Sequence, residues 1–291
     1  MSERHETYPP MVWPGYAIPW GLETHLMGIV NATPDSFSGD GVAGDVAKAV
    51  ELAKEGAKHA TFVDIGGEST RPGHEPLDTA AELDRVLPIL SAVRATVRLP
   101  ISVDTSKARV AEAVIASGAN MINDVRGFTA DPEIAVVVAE AHVPAVLMHD
   151  VPPDRYGDLV TSVLRELSRR LDRAIGAGIA WERLIVDPGF GFGKDWRQNL
   201  EILRRLGEFR VLGRPILVGL SRKSTIGRVL GLPASDRLEG TLATTVLAIA
   251  NGADIIRVHD VWANARVVLM ADAVARGAPA EAKSWPGAPA T

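Results

Sequence analysis

The sequence predicts an α/β fold, a (β/α)8 TIM barrel built as a single domain, on three observations. Short apolar runs recur along the chain, and they are continuous rather than alternating, as expected of strands buried on both faces. Longer stretches with helical periodicity separate these runs. A Gly-Ala pair stands between a helix and the next strand three times, at Gly56-Ala57, Gly118-Ala119 and Gly252-Ala253. Eight such units favour a closed barrel. A doubly wound sheet is the alternative, because strand order cannot be read from a sequence.

Eight strands and eight helices are predicted. The strands are Leu26–Val30, Thr61–Ile65, Ile101–Val103, Met121–Ile122 with its flanking residues, Ala145–Met148, Leu184–Val186, Ile216–Val218 and Ile255–Val258. The helices are Asp45–Ala57, Asp78–Thr96, Ser106–Ser117, Asp131–Ala141, Asp158–Ala177, Asp195–Leu206, Arg237–Asn251 and Asn264–Ala275. Several begin with Asp or Ser, whose side chains cap free amide groups, and Gly after a helix supplies the left-handed conformation that ends it.

The barrel is expected to occupy residues 21–276. Residues 1–20 form an N-terminal extension, polar and rich in proline, which is expected either to be partly disordered or to form a small hairpin that Trp13 and Trp20 pack against the barrel. Residues 277–291 are rich in Ala and Pro and are expected to be a flexible tail.

Composition excludes several classes of protein. The 291 residues are 46% hydrophobic and 23% charged, which is ordinary for a globular protein. The absence of cysteine excludes disulfides, thiolate nucleophiles and Cys-ligated metal sites, and agrees with a cytoplasmic enzyme. The net charge of -5 provides no basic field for nucleic acid. No apolar run is long enough to span a membrane, and the N-terminus lacks the basic-then-apolar order of a signal peptide.

Polar residues follow the predicted strands, and a barrel would gather them at one face, where active sites are built. The acceptors are Asn31, Asp104, Asn123 and Asp187, and the cations and donors are Lys223, Arg257 and His259. Arg257 and His259 are two residues apart, so they point to the same side of their strand.

These side chains suit a ligand with two chemically different ends. Buried carboxylates need a partner, either a cation of the protein or the N–H groups of a ring such as an aminopyrimidine. Arg side chains suit phosphate oxygens, and a hard metal such as Mg²⁺ could join an oxygen ligand like Asn31 to that phosphate.

Taken singly, each residue also has a structural interpretation. An Asp after a strand is often a helix cap, as Thr105 and Ser106 suggest for Asp104, and a lone glycine-rich loop at residues 189–193 is a weak signal.

Seven segments closely resemble the signatures of the dihydropteroate synthases. The first two are Met27-Gly28-Ile29-Val30-Asn31-Ala32-Thr33-Pro34-Asp35-Ser36-Phe37-Ser38 and Asp64-Ile65-Gly66-Gly67-Glu68-Ser69-Thr70-Arg71-Pro72-Gly73. The others follow in the family order: Ser102-Val103-Asp104-Thr105, Asn123-Asp124-Val125, Asp187-Pro188-Gly189-Phe190-Gly191-Phe192-Gly193-Lys194, Gly219-Leu220-Ser221-Arg222-Lys223-Ser224 and Arg257-Val258-His259-Asp260-Val261. The resemblance runs from about Leu26 to Ala275 and is highly specific in the first two segments and the Ser-Arg-Lys segment.

The resemblance implies a barrel that is a homodimer and joins 6-hydroxymethyl-7,8-dihydropterin pyrophosphate to p-aminobenzoate, releasing pyrophosphate. It implies pterin binding by Asp104, Asn123, Met148, Asp187 and Lys223. It implies pyrophosphate binding by Asn31, Arg71, Arg257 and His259, with Mg²⁺ near Asn31. It implies an aminobenzoate site shaped by Thr70, Pro72, Phe192, Lys223 and Ser224. Asp187, Lys223, Arg257 and Asp104 are the expected catalytic residues. The partners are small molecules, with neither nucleic acid nor a membrane.

Three positions depart from the family pattern. The first loop reads Ser38-Gly39-Asp40-Gly41 where the family usually has Ser-Asp-Gly-Gly, the segment Asp150–Tyr156 is short, and Thr225 stands where an aromatic residue is usual.

Two alternatives to a synthase stay open at this point. A pterin-binding methyltransferase would share the barrel but would not need Lys223, Ser224 or the pyrophosphate cations, and an inactive relative would bind pterin without turnover.

Overall fold

The main body of the protein is a closed parallel barrel of eight strands. The computed structural model describes residues 8–32, 45–68, 77–153 and 157–277. The barrel strands are β3 His25–Asn31, β4 Phe62–Gly66, β5 Ile101–Asp104, β6 Met121–Asp124, β7 Ala145–Met148, β8 Leu184–Asp187, β9 Leu217–Val218 and β10 Ile255–Val258. Neighbours in the chain are neighbours in the sheet, and β10 pairs with both β9 and β3. A bridge between Val186 and Ile216 joins β8 to β9 and closes the ring. The predicted TIM barrel is confirmed, and the doubly wound alternative is wrong.

Nine helices among the described residues surround the barrel. They are α1 Val46–Ala57, α2 Thr79–Thr96, α3 Ala108–Ala116, α4 Glu133–Ala141, α5 Leu159–Gly176, α6 Trp196–Arg204, α7 Ser224–Leu230, α8 Leu238–Ala250 and α9 Val261–Ala275. Short 3-10 segments lie at Trp181–Arg183, Leu206–Leu212 and Ala234–Asp236. None of the helices within the described ranges is long and apolar enough to cross a membrane.

Local capping explains where several helices begin. The carboxylates of Asp45, Asp78, Asp158 and Asp195 each accept a backbone N–H from the third residue along, as the sequence predicts. Helix α7 was not predicted, because seven residues are too few to show a helical period. Helix α9 begins at Val261 rather than at the predicted Asn264.

Only two of the three Gly-Ala pairs end a helix with a left-handed glycine. Gly118 and Gly252 have φ angles of 100° and 98° and so provide the left-handed residue after a helix. Gly56 instead lies inside the last turn of α1, so the expectation of a left-handed Gly is wrong there.

Alternation along the strands separates the inside of the barrel from its wall. Apolar side chains fill the inside near the N-terminal ends of the strands: Met27, Phe62, Met121, Val146, Ile185, Leu217 and Ile255. Two residues further along, the same face of several strands carries Ile29, Asp64, Asn123, Met148, Asp187 and Arg257. The inside of the barrel therefore changes from apolar to polar toward the C-terminal ends.

An N-terminal hairpin covers the apolar end of the barrel. Strands β1 Met11–Trp13 and β2 Tyr16–Ile18 pair antiparallel. Met11, Trp13, Ile18 and Trp20 belong to the same buried cluster as the apolar residues inside the barrel. The hairpin thus shields that end from water, while the opposite end keeps its polar side chains.

Candidate active site

Four polar side chains from four strands meet at the C-terminal end of the barrel. Arg257 Nε donates to Asp64 Oδ2 at 2.6 Å, and Arg257 Nη2 lies 3.5 Å from Asp104 Oδ2. Asn123 Nδ2 donates to the same Asp64 oxygen at 3.2 Å. Strand β4, which carries Asp64, is adjacent to neither β6 nor β10. These contacts therefore run through the inside of the barrel and fix three of the predicted site residues relative to one another.

Asp187 and Met148 lie side by side on neighbouring strands. Their Cα atoms are partners in the register of β7 and β8, and both side chains are buried. Asp187 Oδ1 accepts the backbone N–H of Gly189 at 2.7 Å. This bond holds the carboxylate at the start of the glycine-rich loop that follows β8.

Burial changes the pKa values of the charged groups in the site. It raises the pKa of Asp187 above its usual value, against the opposing charge of Lys223. It raises the pKa of Asp104 well above its usual value, against the charge of Arg257. Burial also lowers the pKa of Lys223 to about 8, although the charge of Asp187 opposes that change. Carboxylates in such a place favour a ligand that brings hydrogen-bond donors with it.

Lys223 reaches the site from the loop after β9. Its Nζ donates to the backbone carbonyl of Phe190 and lies 4.6 Å from the centroid of the Phe192 ring. Phe190 is buried, whereas Phe192 and Lys223 are half-buried. The side chains of Lys223 and Phe192 therefore form one wall of the site, and Ser224 begins α7 beside them with its side chain exposed.

The neighbouring Arg222 has a strained backbone that other residues support. Its φ angle of 56° lies in the left-handed region, which costs energy for a residue other than glycine. The Arg222 N–H donates to Thr241 Oγ1 at 3.0 Å, and Arg237 donates to the Arg222 carbonyl at 2.9 Å. Its guanidinium holds both carboxylate oxygens of Asp260, at 2.9 and 2.5 Å. These bonds determine the direction in which Lys223 leaves the loop.

His259 is oriented by a hydroxyl. Ser221 Oγ lies 2.9 Å from His259 Nδ1 and accepts the backbone N–H of His259 at 3.2 Å. With Nδ1 engaged by Ser221, the Nε2 side of the ring faces away from that contact. The imidazole is thereby held in one orientation, as recognition of an anion requires.

Asn31 ends β3 at the same face and is half-buried. Its side-chain amide makes no hydrogen bond to another residue in the ranges that the structure describes. Those ranges also contain no cluster of three or more His, Asp or Glu residues that could bind a metal by themselves. A donor set of one amide oxygen fits Mg²⁺, which typically takes one or two protein oxygens and completes its shell with phosphate and water.

Glycines in the loop after β8 are required by space as well as by backbone angle. Gly189, Gly191 and Gly193 have φ angles of 73°, 79° and 61°. A Cβ on Gly189 would lie 1.8 Å from the His149 carbonyl oxygen, and one on Gly191 would lie 3.2 Å from Lys223 Cδ. The loop therefore packs tightly against the loop after β7 and against Lys223, which explains the glycines without a phosphate.

Three predicted residues lie in a segment between β4 and α2. Thr70, Arg71 and Pro72 lie outside the described residues, as do Asp40 and the end of the segment Asp150–Tyr156. Thr225, the third departure from the family pattern, is buried, and its hydroxyl accepts from Asn199 Nδ2 at 3.0 Å. Asn199 Oδ1 in turn accepts the Gly191 N–H at 3.0 Å, so this polar pair takes part in holding the glycine-rich loop.

The sequence prediction missed several residues that build the site. Asp64 is the clearest, since it is buried and binds two predicted site residues, Asn123 and Arg257. Its second oxygen, Oδ1, is buried with no hydrogen-bond partner among the described residues, so it can accept from a ligand or a water. Alternation from Phe62 through Asp64 to Gly66 would have placed it inside the barrel. Ser221 and Arg222 carry no comparable signal, because their roles depend on contacts with distant residues.

Comparisons with known proteins agree with this geometry. The family model described as "Pterin binding enzyme" matches residues 27–259. The dihydropteroate synthase of Clostridium beijerinckii is 46% identical over 258 residues, covering 88% of this chain and 96% of that protein. The structure of a Clostridium difficile dihydropteroate synthase in the presence of pteroic acid superposes with a TM-score of 0.84 at 44% identity, covering 88% of this chain and 98% of that one.

A further solved relative was determined with a different ligand. The Xanthomonas albilineans dihydropteroate synthase, solved with 4-aminobenzoic acid, superposes with a TM-score of 0.85 at 42% identity, covering 92% of this chain and 98% of that one. Sequence, fold and the polar end of the barrel thus lead to one conclusion: this chain belongs to the pterin-binding enzymes, in the dihydropteroate synthase family of transferases.

Proposed function

We propose that this chain condenses 6-hydroxymethyl-7,8-dihydropterin pyrophosphate with p-aminobenzoate to give 7,8-dihydropteroate and pyrophosphate, a step of folate biosynthesis. One observation carries the proposal. Buried acceptors on β5, β6 and β8 and cations after β9 and on β10 share the polar end of one barrel. A ligand with a donor-rich ring at one end and an anion at the other satisfies both groups.

The acceptors would bind the pterin ring. Asp104, Asn123 and Asp187 present oxygens to its N–H groups, and Met148 packs against the ring face. Lys223 donates to a ring acceptor. The raised pKa of Asp104 and Asp187 supports this role, because a donor-rich ring stabilises the ionised carboxylates that burial alone disfavours.

The cations would bind the pyrophosphate. Arg257 offers a planar guanidinium and His259 an oriented imidazole, and Arg71 belongs to the same proposed set. Asn31 would hold Mg²⁺, which supplies neutralisation of the negative charge that grows on the leaving group. Asp64 keeps Arg257 in place by an ion pair, so less ordering is needed when the anion binds.

The aminobenzoate would bind beside the glycine-rich loop. Thr70, Pro72, Phe192, Lys223 and Ser224 form the proposed subsite. Its aryl amine is neutral and nucleophilic at pH 7, so the reaction needs no strong general base, and no catalytic triad is expected.

The reaction breaks one bond at the pterin methylene and forms another there. The bond between the pterin methylene and the pyrophosphate oxygen breaks, and its electron pair leaves with pyrophosphate. The amine nitrogen of aminobenzoate then forms a bond to the methylene and loses one proton to solvent. Asp104, Asp187, Lys223 and Arg257 act as the catalytic residues in this proposal. Asp187 stabilises the positive charge on the pterin methylene, while Arg257 stabilises the departing anion.

The test measures pyrophosphate release from the dihydropterin pyrophosphate in Mg²⁺ buffer, with and without p-aminobenzoate. Release that depends on p-aminobenzoate and yields 7,8-dihydropteroate is the expected result. Tight pterin binding without release would contradict the proposal and indicate an inactive relative. Omission of Mg²⁺ in a parallel sample is expected to slow the release.

We also propose that the enzyme is a cytoplasmic homodimer. Exposed apolar side chains on three successive helices support a second copy as the partner: Val229 and Leu230 on α7, Val246 and Leu247 on α8, and Met270 and Val274 on α9. Val274 is 77% exposed and Met270 66%. Sedimentation of Met270→Glu/Val274→Glu is expected to show a monomer where the unaltered chain is a dimer. A monomeric unaltered chain would contradict the proposal.

A further inference from the structure

Lys194 joins the two loops that flank the site, and none of the roles above uses it. It follows the glycine-rich loop directly, and its Nζ has three acceptors within reach. These are the Phe192 carbonyl at 2.7 Å, the His149 Nδ1 at 2.9 Å and the His149 carbonyl at 3.3 Å. Phe192 belongs to the loop after β8, whereas His149 belongs to the loop after β7.

The number of acceptors matches the number of donors on an ammonium group. A lysine ammonium has three N–H bonds and no acceptor, so His149 Nδ1 must accept and the imidazole must be neutral. Burial and the charge of Lys194 lower the pKa of His149 to about 3, which keeps the ring neutral. A neutral amine has only two N–H bonds and one lone pair, so His149 would have to change tautomer and donate from Nδ1. The bonds to the two carbonyls would also lose the strength that the ammonium charge gives them.

The two loops touch so closely that small changes in one must move the other. Gly189 lies against the His149 carbonyl, and a Cβ on Gly193 would lie 2.5 Å from the Val151 carbonyl. The His149 N–H donates to the Asp187 carbonyl at 2.9 Å. Lys194 adds side-chain bonds to this contact and fixes the carbonyl of Phe192, whose ring lies beside Lys223.

We propose that Lys194 is a positioning residue for the p-aminobenzoate side of the site, and that its ammonium form holds Phe192 in the geometry that binds this substrate. The inference rests on the proposed function above. It adds that affinity for p-aminobenzoate depends on the protonation of a residue that does not touch the substrate.

Charged groups on four other elements face Lys194 and set its titration. They are Asp187 at the end of β8, Asp150 after β7, Lys223 after β9 and Arg170 on α5, and the neutral His149 ring lies against Lys194 as well. Burial lowers the pKa of Lys194 to about 7, with Asp187 and Asp150 opposing and Lys223 and Arg170 adding to the decrease. The ammonium form is therefore present below pH 7 and lost above it. KM for p-aminobenzoate should rise as the pH increases through 7.

The experiment measures KM for p-aminobenzoate between pH 6 and 9 for the unaltered enzyme, Lys194→Met and Lys194→Arg. The unaltered enzyme is expected to lose about fivefold in affinity with a midpoint near pH 7. Lys194→Met should show the high KM at every pH below 8. Lys194→Arg stays charged throughout, so its KM should remain low across pH 7. Lys54→Met, on the exposed face of α1, is the matched control and should behave like the unaltered enzyme.

A second readout does not need turnover. The side-chain carbon shifts of lysine labelled with ¹³C, assigned by their loss in Lys194→Met, should titrate with a midpoint near pH 7. A midpoint near that of a free lysine would overturn the inference. So would a KM profile of Lys194→Met that follows the unaltered enzyme, or an equal loss of pterin and aminobenzoate affinity in Lys194→Met. Absence of dihydropteroate from the unaltered enzyme at all pH values would instead overturn the proposed function.

Discussion

Among single residues, the site consists of charged side chains that are buried together, so the charge state of each one depends on its neighbours. Asp64 is wholly buried and Arg257 is 20% exposed, and their ion pair at 2.6 Å lies at the centre of the set. Removing one partner of a buried pair leaves the other uncompensated, which is more costly than the net worth of the pair. Asp64 should therefore influence catalysis through Arg257.

Asp64→Asn tests this dependence. The amide keeps the shape of the side chain but removes the charge that Arg257 Nε contacts. We expect kcat/KM to fall by about 10- to 100-fold, as for loss of a charged hydrogen bond, while circular dichroism stays unchanged. Asp84→Asn, on the exposed face of α2, is the control and should keep full activity. An unchanged kcat/KM in Asp64→Asn would show that Arg257 does not need this partner.

Asp187→Ala should lose pterin binding. Its carboxylate is buried beside Met148 and accepts only one backbone N–H among the described contacts, so it retains acceptor capacity for a ligand. We expect calorimetry with a pterin that lacks pyrophosphate to show at least about tenfold weaker binding.

Arg257→Ala is the matched comparison for Asp187→Ala. It should chiefly weaken binding of pyrophosphate and affect the pterin ring less, because the guanidinium is the donor for the anion. Equal pterin affinity in Asp187→Ala and the unaltered chain would contradict the pterin role of Asp187. Unchanged pyrophosphate affinity in Arg257→Ala would contradict the assignment of Arg257.

At the scale of elements, the loops after β7 and β8 determine the shape of the site more than the strands do. The glycine-rich loop contacts the loop after β7 through backbone atoms, and Asn199 on α6 ties Gly191 to Thr225 on α7. Helices α6 and α7 therefore help to place the loop that carries Phe190 and Phe192.

Comparing Gly189→Ala with Gly231→Ala separates the effect of a close contact between loops from the effect of backbone strain. The added Cβ meets the His149 carbonyl in a residue whose φ is 73°, and both effects destabilise. We expect the free energy of unfolding to fall by about 3 kcal/mol or more, measured by urea denaturation. Gly231→Ala has a similar φ of 71° with open space around the Cβ, so it should lose only about 1 to 2 kcal/mol. Equal losses in the two variants would show that the loop contact contributes nothing.

In the whole molecule, one end of the barrel contributes to stability and the other end carries the candidate active site. The N-terminal hairpin closes one end with Trp13 and Trp20, while the other end keeps buried carboxylates and cations for ligands. Stability and chemistry are thus separated along the barrel axis, as is general in this fold.

Trp20→Ala should reveal that separation. Trp20 is fully buried against His25, with ring centroids 5.3 Å apart. We expect the free energy of unfolding to fall by about 3 to 5 kcal/mol, while kcat of the folded enzyme stays unchanged. Val12→Ala, on the exposed side of the same hairpin, should change stability by less than about 0.5 kcal/mol. A large loss of kcat in Trp20→Ala would show that the two ends are coupled.

Much of the architecture follows from local patterns in the sequence. Continuous apolar runs predict the strands because both faces of a barrel strand are covered. Asp45, Asp78, Asp158 and Asp195 predict helix starts because capping involves residues only three apart. Helix α7 and the start of α9 were missed or misplaced, because packing rather than local periodicity determines them.

Period, strand ends and family signatures in the sequence predicted the strands, the face that carries the site and most of the residues proposed to act there. They favoured a closed barrel, and the strand order of the structure excluded the doubly wound sheet. Which side chains bind one another follows only from the folded chain. Asp64 reaches Arg257 across 193 residues of chain, and Lys194 reaches His149 across 45. The first contact arises because the closed barrel brings non-neighbouring strands together across its inside. The second arises because the loops after the adjacent strands β7 and β8 pack against each other. Burial at those contacts then determines which groups are charged.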